Sequence, residues 1–256
     1  MIRLSLIGIG TGNPEHLTLQ AIRTIGAADL LLIPEKGAGK KDLADLRRMM
    51  LDTLVPAPHP MIAPLTLPVR DPAIRNYHAR VEAWHDAIAA LWERTIRNAL
   101  PSGNGHVALM IWGDPSLYDS SLRIAARLAA HLPLQVEVVP GITSIQALCA
   151  AHAIPMNTLG GPVTITTGRQ LRDHGWPPGA QTLVVMLDGN CAFQMLDPAG
   201  LHIAWTAFAG MPQEISLAGP LGSTGPQIIS ARAAARADHG WIMDIYRLTR
   251  SGSALA

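Results

Sequence analysis

Only two cysteines stand in the 256 residues, Cys149 and Cys191. They are too few and too irregularly spaced for a disulfide framework or a zinc site. Cys149 falls in an apolar helical pattern and reads as a buried thiol. Net charge is almost absent as well, because 20 Lys and Arg offset 19 Asp and Glu to leave +1. Nucleic-acid binding depends on neutralising phosphates, so no nucleic-acid partner is expected, and an acidic ligand must be met by a local cluster of cations. No stretch approaches the ~20 apolar residues that span a bilayer. The N-terminus lacks the basic, apolar and small-residue plan of a signal peptide. A cytoplasmic location without a membrane partner is therefore expected. Phe and Tyr are scarce while Trp and Met are plentiful, and a chain of this length can bury a sizeable core as one large domain or two small ones.

The stretch that organises the rest is VALMIWGDPSLYD, residues 107–119. Residues 107–112 form an apolar run of strand length that stops at Gly113-Asp114-Pro115, where the chain must turn. Residues 120–124 then read as a capped helix start. Polar groups are thereby placed beyond the carboxyl end of a strand, where open α/β sheets bind ligands. The same grammar occurs twice more. Residues 1–7 read as a strand followed by GIGTGNPEHLT, and residues 136–139 as a strand followed by Pro140-Gly141-Ile142-Thr143-Ser144 and an alanine-rich helix.

In chain order, a helix over 17–28 with Thr18 as its N-cap and a short apolar strand over 30–33 complete a βαβ unit, which predicts a parallel sheet. A polar loop over 35–41 precedes a helix over 42–54. Six prolines in 55–72 exclude a long helix or a central strand and predict an ordered surface excursion. A long helix over 75–100 carries its apolar stripe on Tyr77, Val81, Trp84, Ile88, Leu91 and Thr95. His78 and His85 stand on a neighbouring face, as solvated helix surface, a carboxylate contact or a metal pair. After residue 153 five strand-like runs (163–167, 182–187, 202–206, 214–218 and 241–246) outnumber the helices at 191–196 and 228–237. That imbalance predicts a mixed sheet with hairpins. The domain boundary is placed near residue 145, giving domains 1–145 and 146–256.

Taken together, G-x-G-x-G-N-P-E-x-L-T, GDPSLY and PGITS, in this order and spacing, resemble the tetrapyrrole (precorrin) methylases over roughly the first 150 residues. The resemblance implies an α/β protein of two domains. The first is a mostly parallel sheet with helices, carrying the substrate cleft and the GDP loop. The second is a mixed sheet with helices that completes the cofactor site, with the active-site cleft between the two. It also implies S-adenosyl-L-methionine as cofactor, S-adenosyl-L-homocysteine as product, no metal, a precorrin as small-molecule substrate, and a homodimer. The variants GIGTGNPEHLT and IWGDPSLYDSSLRI, with HGWIMD at 239–244, look most like the member of cobalamin (vitamin B12) biosynthesis that methylates carbon 1 of precorrin-5 and expels acetate to give precorrin-6A.

Carried over residue by residue, the resemblance implies cofactor contacts at Trp112, Gly113, Asp114, Leu117 and Tyr118, at Thr143 and Ser144, and at Met186, Leu187 and Ala204, taken as strand ends. Asp114 and Tyr118 are the catalytic candidates, and Asp114 reads equally as a turn residue capping the next helix. The base for the deacetylating water is drawn from Asp114, Tyr118, His85, Asp86 and Glu15. Thr11 and the guanidinium groups of Arg70, Arg75 and Arg123 are the substrate-binding candidates, because planar donors suit carboxylates; the loop 36–41 is another. Other readings stay open at this point. One is a methylase of the same fold acting on another precorrin, RNA or protein. Another is a tetrapyrrole carrier without catalysis. A third is nicotinamide or flavin binding through Gly8-x-Gly10-x-Gly12, with Glu35 on a ribose. Against the last, the third fingerprint glycine falls on Asn13, and Pro14 follows it.

Overall fold

The computed structural model describes residues 1–35 and 41–250, apart from the side chains of 41 and 42. The chain divides into two units, Met1–Ile142 and Thr143–Ala256.

In the first unit the elements run β1 (Ile2–Gly8), α1 (Leu19–Gly26), β2 (Leu30–Glu35), α2 (Lys41–Leu54), β3 (Met61–Thr66), α3 (Tyr77–Ala99), β4 (Gly105–Ile111), α4 (Ser121–Leu128) and β5 (Leu134–Val139). The strands form one parallel sheet in the order β3-β2-β4-β1-β5. Strand side chains alternate between the faces. Leu4, Leu6, Leu32 and Leu109 therefore meet Ile88, Trp92, Ile124 and Leu128 of α3 and α4 on one side. On the other, Ile7, Leu31, Ile33 and Met110 meet Ala21, Ile25, Met50 and Leu51 of α1 and α2. Both faces are covered, which explains why these strands are apolar along their length. Thr18 caps α1 as expected, its side chain accepting from Ala21 N–H at 3.0 Å.

The proline-rich stretch holds more than an excursion, since β3 lies within it at the edge of the sheet. Met61 N–H donates to Asp29 O at 3.1 Å and Leu67 N–H to Glu35 O at 3.4 Å. Odd-numbered residues thus turn their amides toward β2, and Pro64, an even one, turns its nitrogen to the outer flank, where a missing donor is tolerated. In α3 the buried positions are His85, Ile88, Ala89, Trp92 and Ile96, whereas Tyr77 is exposed. The expected stripe is rotated because α3 packs on α4 as well as on the sheet. His85 therefore lies inside rather than on a solvated face, and His78 is exposed.

The second unit contains α5 (Ser144–Ala151), β6 (Val163–Thr167), α6 (Gly168–His174), β7 (Thr182–Met186), β8 (Leu201–Ala207), β9 (Ile215–Pro220), α7 (Leu221–His239) and β10 (Asp244–Arg250). Its sheet runs β6-β7-β10-β8-β9. Only β6 and β7 are parallel, and β8-β9 is a hairpin. This is the mixed sheet that strands outnumbering helices imply. Trp205, Tyr246 and Phe193 fill its core. Differences from the sequence reading are local. The last strand starts at Asp244, α7 begins seven residues earlier than 228 and tolerates Pro226 inside it, and α6 was not foreseen. Cys149 is only half-buried, whereas Cys191 is buried.

Candidate active site

Three strand ends of the first unit, those of β1, β4 and β5, meet through main chain. Beyond β1 and β4, Ile9 N–H donates to Ile111 O at 2.9 Å. Gly10 and Gly113 then form an isolated antiparallel bridge, with Gly113 N–H donating to Gly10 O at 2.7 Å. Glycine is required where β5 arrives. A Cβ on Gly141 would lie 2.2 Å from Gly113 O, and one on Gly8 would lie 2.5 Å from Gly141 N. At Gly113 itself φ is +67° and a Cβ would meet nothing within 4 Å, so the main chain there faces open room.

Asp114 fastens this meeting point. One carboxylate oxygen accepts from Ser116 N–H at 2.8 Å and from the Ser116 hydroxyl. The other accepts from Gly141 N–H at 2.8 Å. Burial alone would push this carboxyl up, but the hydrogen bonds from Ser116 and Gly141 outweigh it and hold Asp114 below its ordinary range. Asp114 is thus an ionised clasp with both oxygens engaged. It closes its own turn and does not cap the following helix. The carboxylate at the start of α4 is Asp119, which accepts from Ser121 N–H at 2.7 Å.

The neighbouring candidates fall around the clasp. Trp112 packs against the apolar cluster of the α1/α2 face. Leu117 N–H donates to Asp114 O at 3.3 Å. Tyr118 follows with φ +51°, a conformation unusual for a side-chain-bearing residue and a pointer to function. Its ring is 45 % exposed, and burial of the rest pushes its hydroxyl up, so it stays protonated near neutrality. Arg123 donates to Asp119 O at 3.0 Å. Arg70 stacks over Trp84 at 4.5 Å from the ring centroid and Arg75 is exposed. Thr11 is buried, with its hydroxyl 3.3 Å from His16 Nδ1, so it offers less to a ligand than its place in the glycine loop suggests.

Among the other possible bases, Asp86 pairs with Arg127 at 2.7 Å, and Glu15 is exposed on a turn capped by Asn13. His85 is 2 % exposed and neither ring nitrogen has a hydrogen-bond partner. Burial first, then the nearby Arg127, push its imidazole down. Residues 36–40 of the basic loop fall outside the described residues.

Within the second unit, Thr143 caps α5 in a reciprocal box. Its hydroxyl accepts from Ile145 N–H at 3.2 Å, and its own N–H donates to Gln146 Oε1 at 3.0 Å. Ser144 opens the helix. Met186 ends β7, and Leu187 follows with φ +53° and 66 % exposure. Ala204 is not at a strand end: β8 continues to Ala207, which leaves Ala204 buried in mid-strand. Beside Leu187 lies a network that the sequence reading missed. Asp188 accepts from Ala192 N–H at 2.6 Å and from the Tyr246 hydroxyl at 2.7 Å. Arg232 meets Asp244 at 2.9 Å. Arg47 of α2 was missed too, although it shares a helical stripe with the buried Ala44, Met50 and Leu51. Among the described residues no group of three or more His, Cys, Asp or Glu is placed to hold a metal ion. No helix among them is long and apolar enough to cross a membrane.

The sequence is 44 % identical over 252 residues to a Sinorhizobium protein named precorrin-6A synthase [deacetylating], covering 98 % of this chain and 96 % of that one. Among solved structures, a cobalamin synthesis related protein (CobF) from Corynebacterium diphtheriae matches with a TM-score of 0.82 at 37 % identity, over 98 % of this chain and 99 % of that one. A uroporphyrin-III C-methyl transferase from Thermus thermophilus, complexed with S-adenyl homocysteine, matches in fold with a TM-score of 0.58 at 20 % identity, over 96 % and 97 % of the two chains. Residues 3–224 match the model of the Tetrapyrrole (Corrin/Porphyrin) Methylases, and the chain belongs to that family.

Proposed function

We propose that this protein is an S-adenosylmethionine-dependent C-methyltransferase of cobalamin biosynthesis that methylates carbon 1 of precorrin-5 with loss of acetate, giving precorrin-6A. The observation that carries the reading is the full-length likeness to the Sinorhizobium precorrin-6A synthase [deacetylating]. At Gly113 no atom beyond the chain neighbours comes within 4 Å of where a Cβ would stand, which suits close approach of a ligand to the main chain.

When bound, the cofactor supplies an electrophilic methyl group and leaves as S-adenosylhomocysteine. In this reading water adds to the acetyl ketone of the substrate, and the carbon–carbon bond to the ring breaks. Acetate departs, and the released electron pair makes the ring carbon the nucleophile. The chain's contribution to methyl transfer is chiefly positioning, with reacting atoms held about 3–3.5 Å apart and in line. Asp114 serves that end by keeping the β4 and β5 turns together. As a base it is poor, being held ionised by three donors. Trp112, Gly113, Leu117 and Tyr118 are the proposed cofactor contacts of the first unit, and Thr143, Ser144, Met186 and Leu187 those of the second. Arg70, Arg75 and Arg123 are the proposed partners of the substrate carboxylates. No metal takes part in this reading, and the protein works as a cytoplasmic homodimer.

The test is incubation with S-adenosylmethionine and precorrin-5, followed by mass analysis. One methyl gained with one acetate released is expected. A methyl gained without acetate assigns a different precorrin reaction, and failure to bind S-adenosylhomocysteine removes the methyltransferase reading altogether.

A further inference from the structure

Arg47 is 8 % exposed, yet none of the ion pairs formed by the described residues includes it. Its Nε donates to Met110 O at 3.0 Å and its Nη1 to Leu43 O at 2.9 Å, both main-chain carbonyls. Nη2 has no hydrogen-bond partner among the described residues. Asp119 exerts an attraction from beyond ion-pair range, and it does not offset burial, which pushes the guanidinium down to about 10.

Arg232 behaves differently. Arg232 is buried to a similar degree but meets the Asp244 carboxylate at 2.9 Å. There the cost of burial is outweighed by Asp244, and the guanidinium is pushed up. Buried charges in proteins are normally paired, because an unpaired one forfeits several kcal/mol of hydration. Arg232 thus holds a carboxylate, whereas Arg47 forms no ion pair among the described residues.

Arg47 lies beside the carboxyl edge of the first sheet. Pairing of β2 with β4 ends at Leu32↔Leu109, so the Met110 carbonyl lies where those strands part, at the carboxyl edge of the sheet. Two residues further on is Trp112, which opens the turn clasped by Asp114 and shares an apolar cluster with Leu46. Ligands of open α/β sheets bind at this edge.

We propose that Arg47 receives a carboxylate of a ligand bound at the carboxyl edge of β4. The assignment rests on the methyltransferase reading above. Two ligands of that reaction bring carboxylates, namely the amino-acid end of the methyl donor and the side chains of the acidic macrocycle. A planar guanidinium with a free edge suits either.

The two sources separate in one experiment. Arg47→Gln keeps a donor for Met110 O and removes the charge, and Arg47→Lys keeps the charge and removes the fork. Affinities of wild type and both variants are measured for S-adenosylhomocysteine and for 5′-methylthioadenosine, which lacks the amino-acid carboxylate, alongside kcat and KM for precorrin-5. A charge-assisted hydrogen bond of about 1.5–3 kcal/mol predicts a loss of roughly 10- to 100-fold in Arg47→Gln. If the donor supplies the carboxylate, the loss falls on S-adenosylhomocysteine and spares 5′-methylthioadenosine. If the substrate supplies it, nucleoside affinities hold and KM rises by about that factor with kcat little changed. Equal weakening of both nucleosides, no change in either affinity or in KM, or failure of both variants to fold would each overturn the proposal and make Arg47 a structural cation. If only Arg47→Gln fails to fold, Arg47→Lys is read on the same scale. Wild type that binds neither nucleoside removes the underlying methyltransferase reading, and this assignment with it.

Discussion

The Asp114 carboxylate accepts from the Gly141 main-chain N–H at 2.8 Å, so one side chain ties the turn after β4 to the turn after β5. Asp114→Ala leaves that N–H, and the N–H and hydroxyl of Ser116, without their acceptor, at a cost of about 1–3 kcal/mol. The protein is expected to stay folded and to lose roughly tenfold or more in S-adenosylhomocysteine affinity; unchanged affinity in calorimetry would remove Asp114 from the binding apparatus. Its carboxyl is also held below the ordinary 3.8 in the folded state. The stability it contributes is therefore present above that value and is lost as pH falls through the folded pKa. Asp114→Asn should lack this share of the acid loss.

Glycine at 141 is a matter of space, and at 103 a matter of backbone angle. A Cβ on Gly141 would sit 2.2 Å from a carbonyl oxygen, whereas one on Gly103, at φ +70°, would meet nothing within 4 Å. Gly103→Ala is expected to cost about 1–2 kcal/mol from the left-handed backbone. Gly141→Ala should cost 3 kcal/mol or more (~), since the colliding atoms are main chain and cannot rotate away. Equal midpoints for the two variants in urea denaturation would contradict this.

Burial and the Arg127 charge keep the His85 imidazole neutral in the fold. The unfolded chain takes up a proton near pH 6.5 and the folded one does so only lower down. Stability at neutral pH is therefore lost as pH falls below about 6.5. His85→Leu also removes two unpartnered ring nitrogens and should flatten the stability profile between roughly pH 6.5 and 5. An unchanged slope in that variant would place the acid sensitivity elsewhere.

Arg232 and Asp244, both largely buried, also share Trp205, whose indole N–H donates to Asp244 at 2.9 Å. Arg232→Met alone should cost about 3–5 kcal/mol by stranding the carboxylate. Combined with Asp244→Asn it should cost less than the sum of the two single changes. Strict additivity in a double-mutant cycle would mean that the pair carries no coupling.

Those features that depend on neighbours in sequence were legible before any coordinates. Thr18 caps α1 because its own hydroxyl reaches Ala21 three residues on, and Gly113 turns the chain because the angle it adopts favours glycine. What stayed hidden depends on distant partners. Gly168 opens α6 at a point where a Cβ would lie 2.3 Å from Asp188, in the connection after β7, and no local pattern announces that. His85 was read as surface because the packing of α4 on α3, not the polarity of the residue, decides which stripe is inside. Arg47 goes unmarked in the sequence reading for the same reason, although its spacing among Ala44, Met50 and Leu51 holds a signal. The strand-end place of Ala204 rests on the family resemblance alone, and β8, running from Leu201 to Ala207, leaves it in mid-strand.

Pro64 leaves a missing rung on the open flank of the first sheet. The edge amides of β3 that face away from β2 belong to even-numbered residues, and at residue 64 there is a ring in place of a donor. A visiting strand could zip along that flank only by leaving a gap in its middle, which guards an otherwise apolar ribbon against runaway stacking during synthesis. The proposed homodimer is accordingly expected to form through side chains on another surface, not by sewing two such ribbons into one.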